Sequence, residues 1–366
     1  MRKSIKLISF LCLMVALACY ASACSPVRDM NKDKTIYLDD MVSCENLKSL
    51  FSDSLHYDII PLEMDSLHIP TIGMKLFVYN DSFLLGDKQF THMAYLYNSL
   101  GQLENTIGNR GNSGNEYPVF KDYVVLNDTV SVLSSSTPGD CLYNYNVKGN
   151  FLGKVEIPNI AVSIARNADG DYIVNSGRNV YNSKWQIIHY TSDWKVLGEY
   201  FKLSENENNV PVFESNFSVI DNRVYYHEAF NNQLYVLEDT LKTSYYLSYG
   251  DKDDFEDIRT GKFTEVVDRL YKKGFYLINS YAETDSMVCL LLNYLKENDQ
   301  KQKILIFDKI KGNGRILEMS KGEMFIGNIC IQDNMLYFLA SDYFLKEYVS
   351  SDLQLDNDIF VLKIKL

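Results

Sequence analysis

The chain is short of the residues that usually announce a reaction. It has 366 residues but only 5 His, none in an HxH or HExxH spacing, which excludes the common zinc sites. No G-x-S-x-G elbow occurs, so the nucleophile turn of the α/β-hydrolases is missing. Glycine clusters at Gly108–Gly114, but no GK[ST] follows, and the next segment reads as a strand rather than a helix. A phosphate cradle needs both. With 7 Pro and no low-complexity tract, long disorder is not expected beyond the N-terminus. Basic residues are outnumbered, 36 Lys and Arg against 48 Asp and Glu, giving a formal charge of −12. That balance lacks the electrostatic footprint of a nucleic-acid binder and would be repelled by an anionic membrane surface.

The one sustained apolar run, Leu7–Ala18, follows Arg2, Lys3 and Lys6 and is too short to span a membrane comfortably. Ala21-Ser22-Ala23-Cys24 comes next. The stretch resembles a bacterial lipoprotein signal, in which cleavage before a cysteine leaves that cysteine diacylated. We take residues 1–23 as the signal peptide and Cys24 as the lipidated residue; an ordinary secretory signal cut after Ala23 is the alternative. Two acyl chains would hold the protein on a bilayer. Residues 1–23 hold three basic residues and no acid, so their removal takes the charge from −12 to −15. Residues 24–55 read as a polar tether and an irregular segment, with a short helix at most. Cys44, Cys141, Cys289 and Cys330 remain. Cys289 and Cys330 fall on neighbouring repeats and could pair, although a buried cysteine needs no partner.

What the chain has in quantity is aromatic strand: 27 Tyr and 19 Phe, residues that suit a pleated, half-buried surface. An apolar run, a tight Asn/Asp/Gly turn and a second apolar run recur at Leu76–Asp87, Tyr123–Ser134, Ser163–Ser176, Phe217–Glu228, Tyr276–Leu292 and Ile329–Ala340. The turns lie roughly 40 to 60 residues apart, the spacing of propeller blades. A third and a fourth strand follow each pair, except at the C-terminus, where only a third remains. The lone strand 57–62 is the natural fourth, closing the ring and removing an open edge. The expectation is an all-β chain: residues 56–366 form one six-bladed β-propeller of four-stranded antiparallel blades, with a helical insertion near residues 260–272. There Phe263, Val266, Val267, Leu270 and Tyr271 make one helical stripe and Gly274 follows as a stop.

Ile107–Tyr117, IGNRGNSGNEY, resembles the IGxxGxGPGEY junction of the six-bladed β-propeller lipoproteins of Bacteroidetes, which are related to NHL- and TolB-like propellers. Ile59–Glu63 and the terminal DNDIFVLKIKL resemble that family too, and the similarity spans about Tyr57 to Leu366. It implies fold and cell-envelope location more than activity. Ser25-Pro26-Val27-Arg28 lacks the acidic run that resembles a surface-export signal, which favours the periplasmic side of the outer membrane over the cell surface.

In a propeller the turns between strands 1–2 and 3–4 lie on one face, and the 2–3 loops and blade links on the other. Here the first set is short. The second is long: Asp87–Thr91, Ser134–Asp140, Asn175–Lys184, Leu203–Ser215, Asp251–Lys273, Asn293–Lys301 and Ser341–Asn357. Insertions on one face of a repeat protein commonly mark its binding face. The expectation is a non-catalytic envelope protein that binds a protein, peptide or glycan there. Candidate contacts are Phe90, Tyr117, Trp185, Phe230 and Tyr343, with Arg110, Glu116, Arg178, His92 and His227 as polar groups. The alternative is a hydrolase or lyase holding calcium in the central channel, as some six-bladed propeller lactonases do. Asp87, Asn175, Glu214, Asn216 and Glu228 would supply oxygen ligands. No cofactor is expected on the first reading.

Overall fold

The computed structural model describes residues 34–51, 55–64, 68–136, 139–205, 216–220, 223–228, 230–250, 262–320 and 326–366. Residues 1–23, expected to be a signal peptide, and Cys24 lie outside the described residues. No helix among them is long and apolar enough to cross a membrane.

Three short strands, β1 (Thr35–Tyr37), β2 (Val42–Cys44) and β3 (Tyr57–Pro61), precede the repeats. Blade 1 is β4 (Lys75–Tyr79), β5 (Ser82–Asp87), β6 (Met93–Tyr97) and β7 (Leu103–Ile107). Blade 2 is β8 (Asp122–Leu126), β9 (Thr129–Ser135), β10 (Asp140–Asn146) and β11 (Phe151–Glu156). Blade 3 is β12 (Ser163–Arg166), β13 (Tyr172–Asn175), β14 (Trp185–Tyr190) and β15 (Val196–Lys202). Blade 4 is β16 (Phe217–Ile220), β17 (Arg223–His227), β18 (Gln233–Leu237) and β19 (Leu241–Ser248). Blade 5 is β20 (Phe275–Glu283), β21 (Met287–Lys296), β22 (Asp299–Asp308) and β23 (Asn313–Ser320). Blade 6 is β24 (Ile326–Gln332), β25 (Met335–Ser341) and β26 (Ile359–Lys365). Strand β3 completes blade 6, pairing antiparallel with β26 from Ile364↔Tyr57 to Phe360↔Pro61. This is the six-bladed propeller expected, with the expected closure.

Each hydrophobic cluster joins two successive blades, so no blade has a core of its own. Leu84, Ala94 and Leu96 of blade 1 meet Tyr143 and Tyr145 of blade 2, with Tyr117 of the link between them. The ring closes where Leu76, Phe83 and Tyr95 of blade 1 pack on Tyr337, Leu339 and Val361 of blade 6. The tight turns are those the Asn/Asp pairs call for. Asn80 and Asp81 have φ of 46° and 62°, and Asp333 and Asn334 have 51° and 58°. Two consecutive positive values make the turn whose twist matches the flanking strands.

Two segments depart from the sequence reading. Residues 35–44 are not an irregular tether: β1 adds in parallel to the outer edge of β19, and β2 to that of β23. Helix α1 (Leu47–Phe51) then buries Leu47 and Leu50 against blades 5 and 6. The N-terminal segment thus covers outer edges of blades 4 and 5 before entering blade 6, a common protection for exposed strands. Strands three residues long carry too little alternation to be read. The stretch Asn293–Lys301 is not a long loop either. It is the tip of a tall hairpin in which β21 and β22 pair down to Lys296↔Asp299. Its charged residues belong to strand that rises past the neighbouring blades.

The insertion forms helix α2 (Phe263–Lys273), which buries Val266 and Leu270 and packs Phe263, Val267 and Tyr271 against the blade 4–5 core. Gly274, at φ 86°, ends it by donating to Leu270 O at 2.7 Å. The glycine-rich link is a blade joint. Gly108 has φ 67°, and a Cβ there would lie 2.5 Å from the Tyr145 ring. All four described cysteines are free, Cys289 and Cys330 included.

Candidate functional site

The innermost strands β4, β8, β12, β16, β20 and β24 pair on one side only. Their other edges face the central channel with unpaired backbone groups, which must find partners. At the long-loop end, side chains supply them from one blade to the next. Lys75 Nζ donates to Asp122 Oδ1 at 2.7 Å and to Tyr123 O at 2.9 Å. Asp122 Oδ2 accepts from Ile164 N at 3.0 Å. Lys121 bridges Asp140 and Ala161 O at 2.6 and 2.9 Å. Ser218 Oγ donates to Tyr281 O, and Ser280 Oγ accepts from Ile329 N and donates to Ile329 O. The sequence shows none of this, because each bond joins residues about 20 to 60 positions apart.

A recess of about 40 Å³ at the long-loop end is lined by Lys75, Lys88, Lys121, Asp122, Asn279 and Asn328, among others. Beneath it lies a chamber of about 390 Å³ that extends to the short-turn residues Asn80, Asn167, Ala168 and Asp333. Lys75, Tyr123 and Asn328 line both. Asn279 and Asn328 reach the channel because β20 and β24 both shift register, between Ile278 and Ser280 and between Ile326 and Ile329. Bulges re-aim side chains in this way.

The residues singled out from the sequence do not form one site. Arg178 is buried and holds Glu228 by two parallel bonds, Nε to Oε1 and Nη2 to Oε2, the second at 2.8 Å. Gln186 Nε2 also donates to Glu228 Oε1 at 2.7 Å and to Tyr226 Oη at 2.9 Å. Arg178 is therefore committed to the blade 3–4 joint rather than offered to a partner. Tyr117 is fully buried, its hydroxyl donating to Ile107 O, and Phe230 is buried against Phe275. Neither presents surface. Glu116 turns back on its own loop and accepts from Ser113 N at 3.0 Å, which holds its carboxyl below the usual range. Arg110 is exposed beside it. His92 is half-buried at φ 57°. Trp185 is half-buried under Lys202, whose Nζ lies 5.9 Å from the ring centroid. Phe90 and Tyr343 are exposed, as is Tyr181, which the sequence reading does not name; its place in the long 2–3 loop of blade 3 is the available signal.

The five residues named as calcium ligands are not assembled. Asp87 accepts from Gln89 N, Phe90 N, Thr91 N and Thr91 Oγ1 in its own loop, and these bonds hold its carboxyl low against the opposing effect of burial. Asn175 donates to Asn216 Oδ1 at 3.4 Å across blades 3 and 4. Glu228 is spent on Arg178, and Glu214 lies outside the described residues. Among those described, no three His, Cys, Asp or Glu side chains gather as a metal site.

His227 is buried, and burial pushes its imidazole down to about 4. Above pH 6.5 it is neutral folded or unfolded. Between 6.5 and 4 only the unfolded chain binds the proton, so stability falls as pH falls, by about 1.4 kcal/mol per unit over that window. Urea melts at pH 7 and pH 5 should show His227→Gln with a shallower decline than the native chain; equal declines would refute the assignment.

The structure is similar to that of a candidate exported protein of Bacteroides fragilis. The TM-score is 0.68 at 14% identity, covering 91% of this chain and 99% of that one. It is also similar to a member of the DUF4221 family from Bacteroides vulgatus, with TM-score 0.54 at 10% identity, covering 85% and 98%. These likenesses establish the fold. No curated protein matches the sequence. The family described as a domain of unknown function, DUF4934, matches residues 34–362.

Proposed function

The chain belongs to the DUF4934 family, and we propose that it is an exported propeller, anchored at Cys24 to the periplasmic side of the outer membrane, that binds a protein, peptide or glycan on its long-loop face without catalysing a reaction. One observation carries this reading. Of the four large aromatic residues left exposed among the described residues, Tyr37, Phe90, Tyr181 and Tyr343, the last three all stand on 2–3 loops of that face. Tyr181 is 94% exposed and Phe90 68%. Exposed aromatics on loops fixed to a rigid ring are the usual anchors of recognition. A channel metal hydrolase has no comparable support, since Asp87 and Glu228 spend their oxygens on the chain itself.

The test uses the mature chain as bait in envelope extracts, beside a Phe90→Ala/Tyr181→Ala/Tyr343→Ala variant. These side chains are exposed, so the variant should melt like the native protein yet lose at least tenfold in captured partner. Equal capture would end the assignment of this face. In cells, Cys24→Ala should abolish incorporation of labelled palmitate and release the protein from the membrane fraction.

A further inference from the structure

The channel chamber lies apart from the long-loop face and raises a different question. Its volume of about 390 Å³ falls within the range of small-molecule sites. Much of its wall is apolar: Phe77, Val125, Val219, Cys330 and Ile331 line it and stay partly exposed, beside polar Ser218, Asn167 and Gln332. Val219 alone keeps 39% of its surface. Apolar side chains left open inside an otherwise well-packed ring favour an apolar occupant over water.

The two ends differ. Toward the long-loop end stands a cation, Lys75, already paired with Asp122 and capped over the Tyr123 ring at 4.9 Å. At the short-turn end stands Arg166. Its Nε donates to Gly170 O at 3.1 Å, and its guanidinium lies 4.6 Å from the Tyr172 ring centroid. These contacts fix its plane but use no carboxylate, and no described Asp or Glu forms an ion pair with it. In a chain of charge −12, such an arginine on a cavity wall is unusual, and an oriented guanidinium is a ready receptor for an acidic group. Asp333 on the same rim favours a single negative charge.

We propose that this chamber is a binding site for a small amphipathic organic anion, entered from the short-turn face, with its apolar body along the Phe77–Val125–Val219–Ile331 wall and its one acidic group on Arg166. Lys75, Tyr123 and Asn328 stand where the chamber meets the recess toward the long-loop face, so the protein carries two working faces. The ligand class needs no metal and no reaction.

Two dyes with nearly the same body test this. 8-Anilinonaphthalene-1-sulfonate carries the acidic group; N-phenyl-1-naphthylamine lacks it. The native mature chain should bind both with enhanced fluorescence. Arg166→Gln should weaken the sulfonate dye at least tenfold and leave the neutral dye within twofold. Val219→Trp, which fills the chamber, should abolish both; if it fails to fold, Val219→Met should weaken both. The Phe90/Tyr181/Tyr343 alanine variant should bind both dyes as the native protein does, which keeps this site separable from the partner face. Absence of dye binding, an unchanged sulfonate affinity in Arg166→Gln, or retained binding in folded Val219→Trp would each overturn the proposal.

Discussion

A chain that begins at Glu63 should lose cooperative folding and aggregate. The deletion removes β3, and with it the outer partner of β26 along the whole register from Tyr57 to Pro61. It also removes Ile36, Leu38, Leu47, Leu50 and Leu62, all buried. At about 2 kcal/mol for each buried side chain, the loss is on the order of 10 kcal/mol, comparable with the whole stability of a typical domain. The joint is tied at its end as well: Leu62 N donates to Ile359 O at 3.1 Å and Glu63 N to Gly101 O at 2.8 Å, linking blade 6 to blade 1. A permuted chain that runs 63–366 and then returns through a short turn into residues 56–62 should regain part of the stability. Calorimetry of the three chains decides the matter. A truncated protein that melts cooperatively within a few degrees of the native one would show that the ring closes without its N-terminal strand.

Arg178→Met should cost about 3–5 kcal/mol, the usual penalty for leaving one member of a buried ion pair alone. Both side chains are almost wholly buried, at 5% and 7% exposure, so Glu228 would lose its Arg178 cation where little water reaches it and must hold an ill-compensated charge or take up a proton. It would retain the Gln186 bond and a long one from Asn231 at 3.5 Å. The double variant Arg178→Met/Glu228→Leu should recover at least half of the loss, because a well-packed apolar pair avoids the desolvation that the ions suffer. Urea denaturation of the two single variants and the double variant reads this directly. A single variant within about 1 kcal/mol of the native protein would mean that the pair is neither dry nor structural.

Legibility followed distance along the chain. The hairpins were visible because an Asn-Asp or Asp-Asn turn and its flanking alternation lie within a dozen residues. Strand β3 was visible because blade 6 lacked a fourth strand. Helix α2 was visible because its stripe from Phe263 to Tyr271 repeats at helical spacing. Strands β1 and β2 were not, since three residues in parallel pairing leave no period to detect. Asn293–Lys301 misled because Lys296, Glu297, Asp299 and Lys301 look like loop, whereas a hairpin that outgrows its neighbours meets solvent and takes charge. Tyr117 and Phe230 were aromatic residues near loops, but the blade joints bury them.

By itself, then, the sequence determined the number of blades, their four-stranded make-up, the closing strand and which face carries the long loops, because each rests on local periodicity and turn chemistry. Tertiary structure alone decided what those elements do together. Arg178 meets Glu228 fifty positions away across a blade joint, and Lys75, Tyr123 and Asn328 come from three blades to line one stretch of the channel. Such contacts depend on how successive sheets are rotated about a common axis, and no pattern within one repeat encodes that.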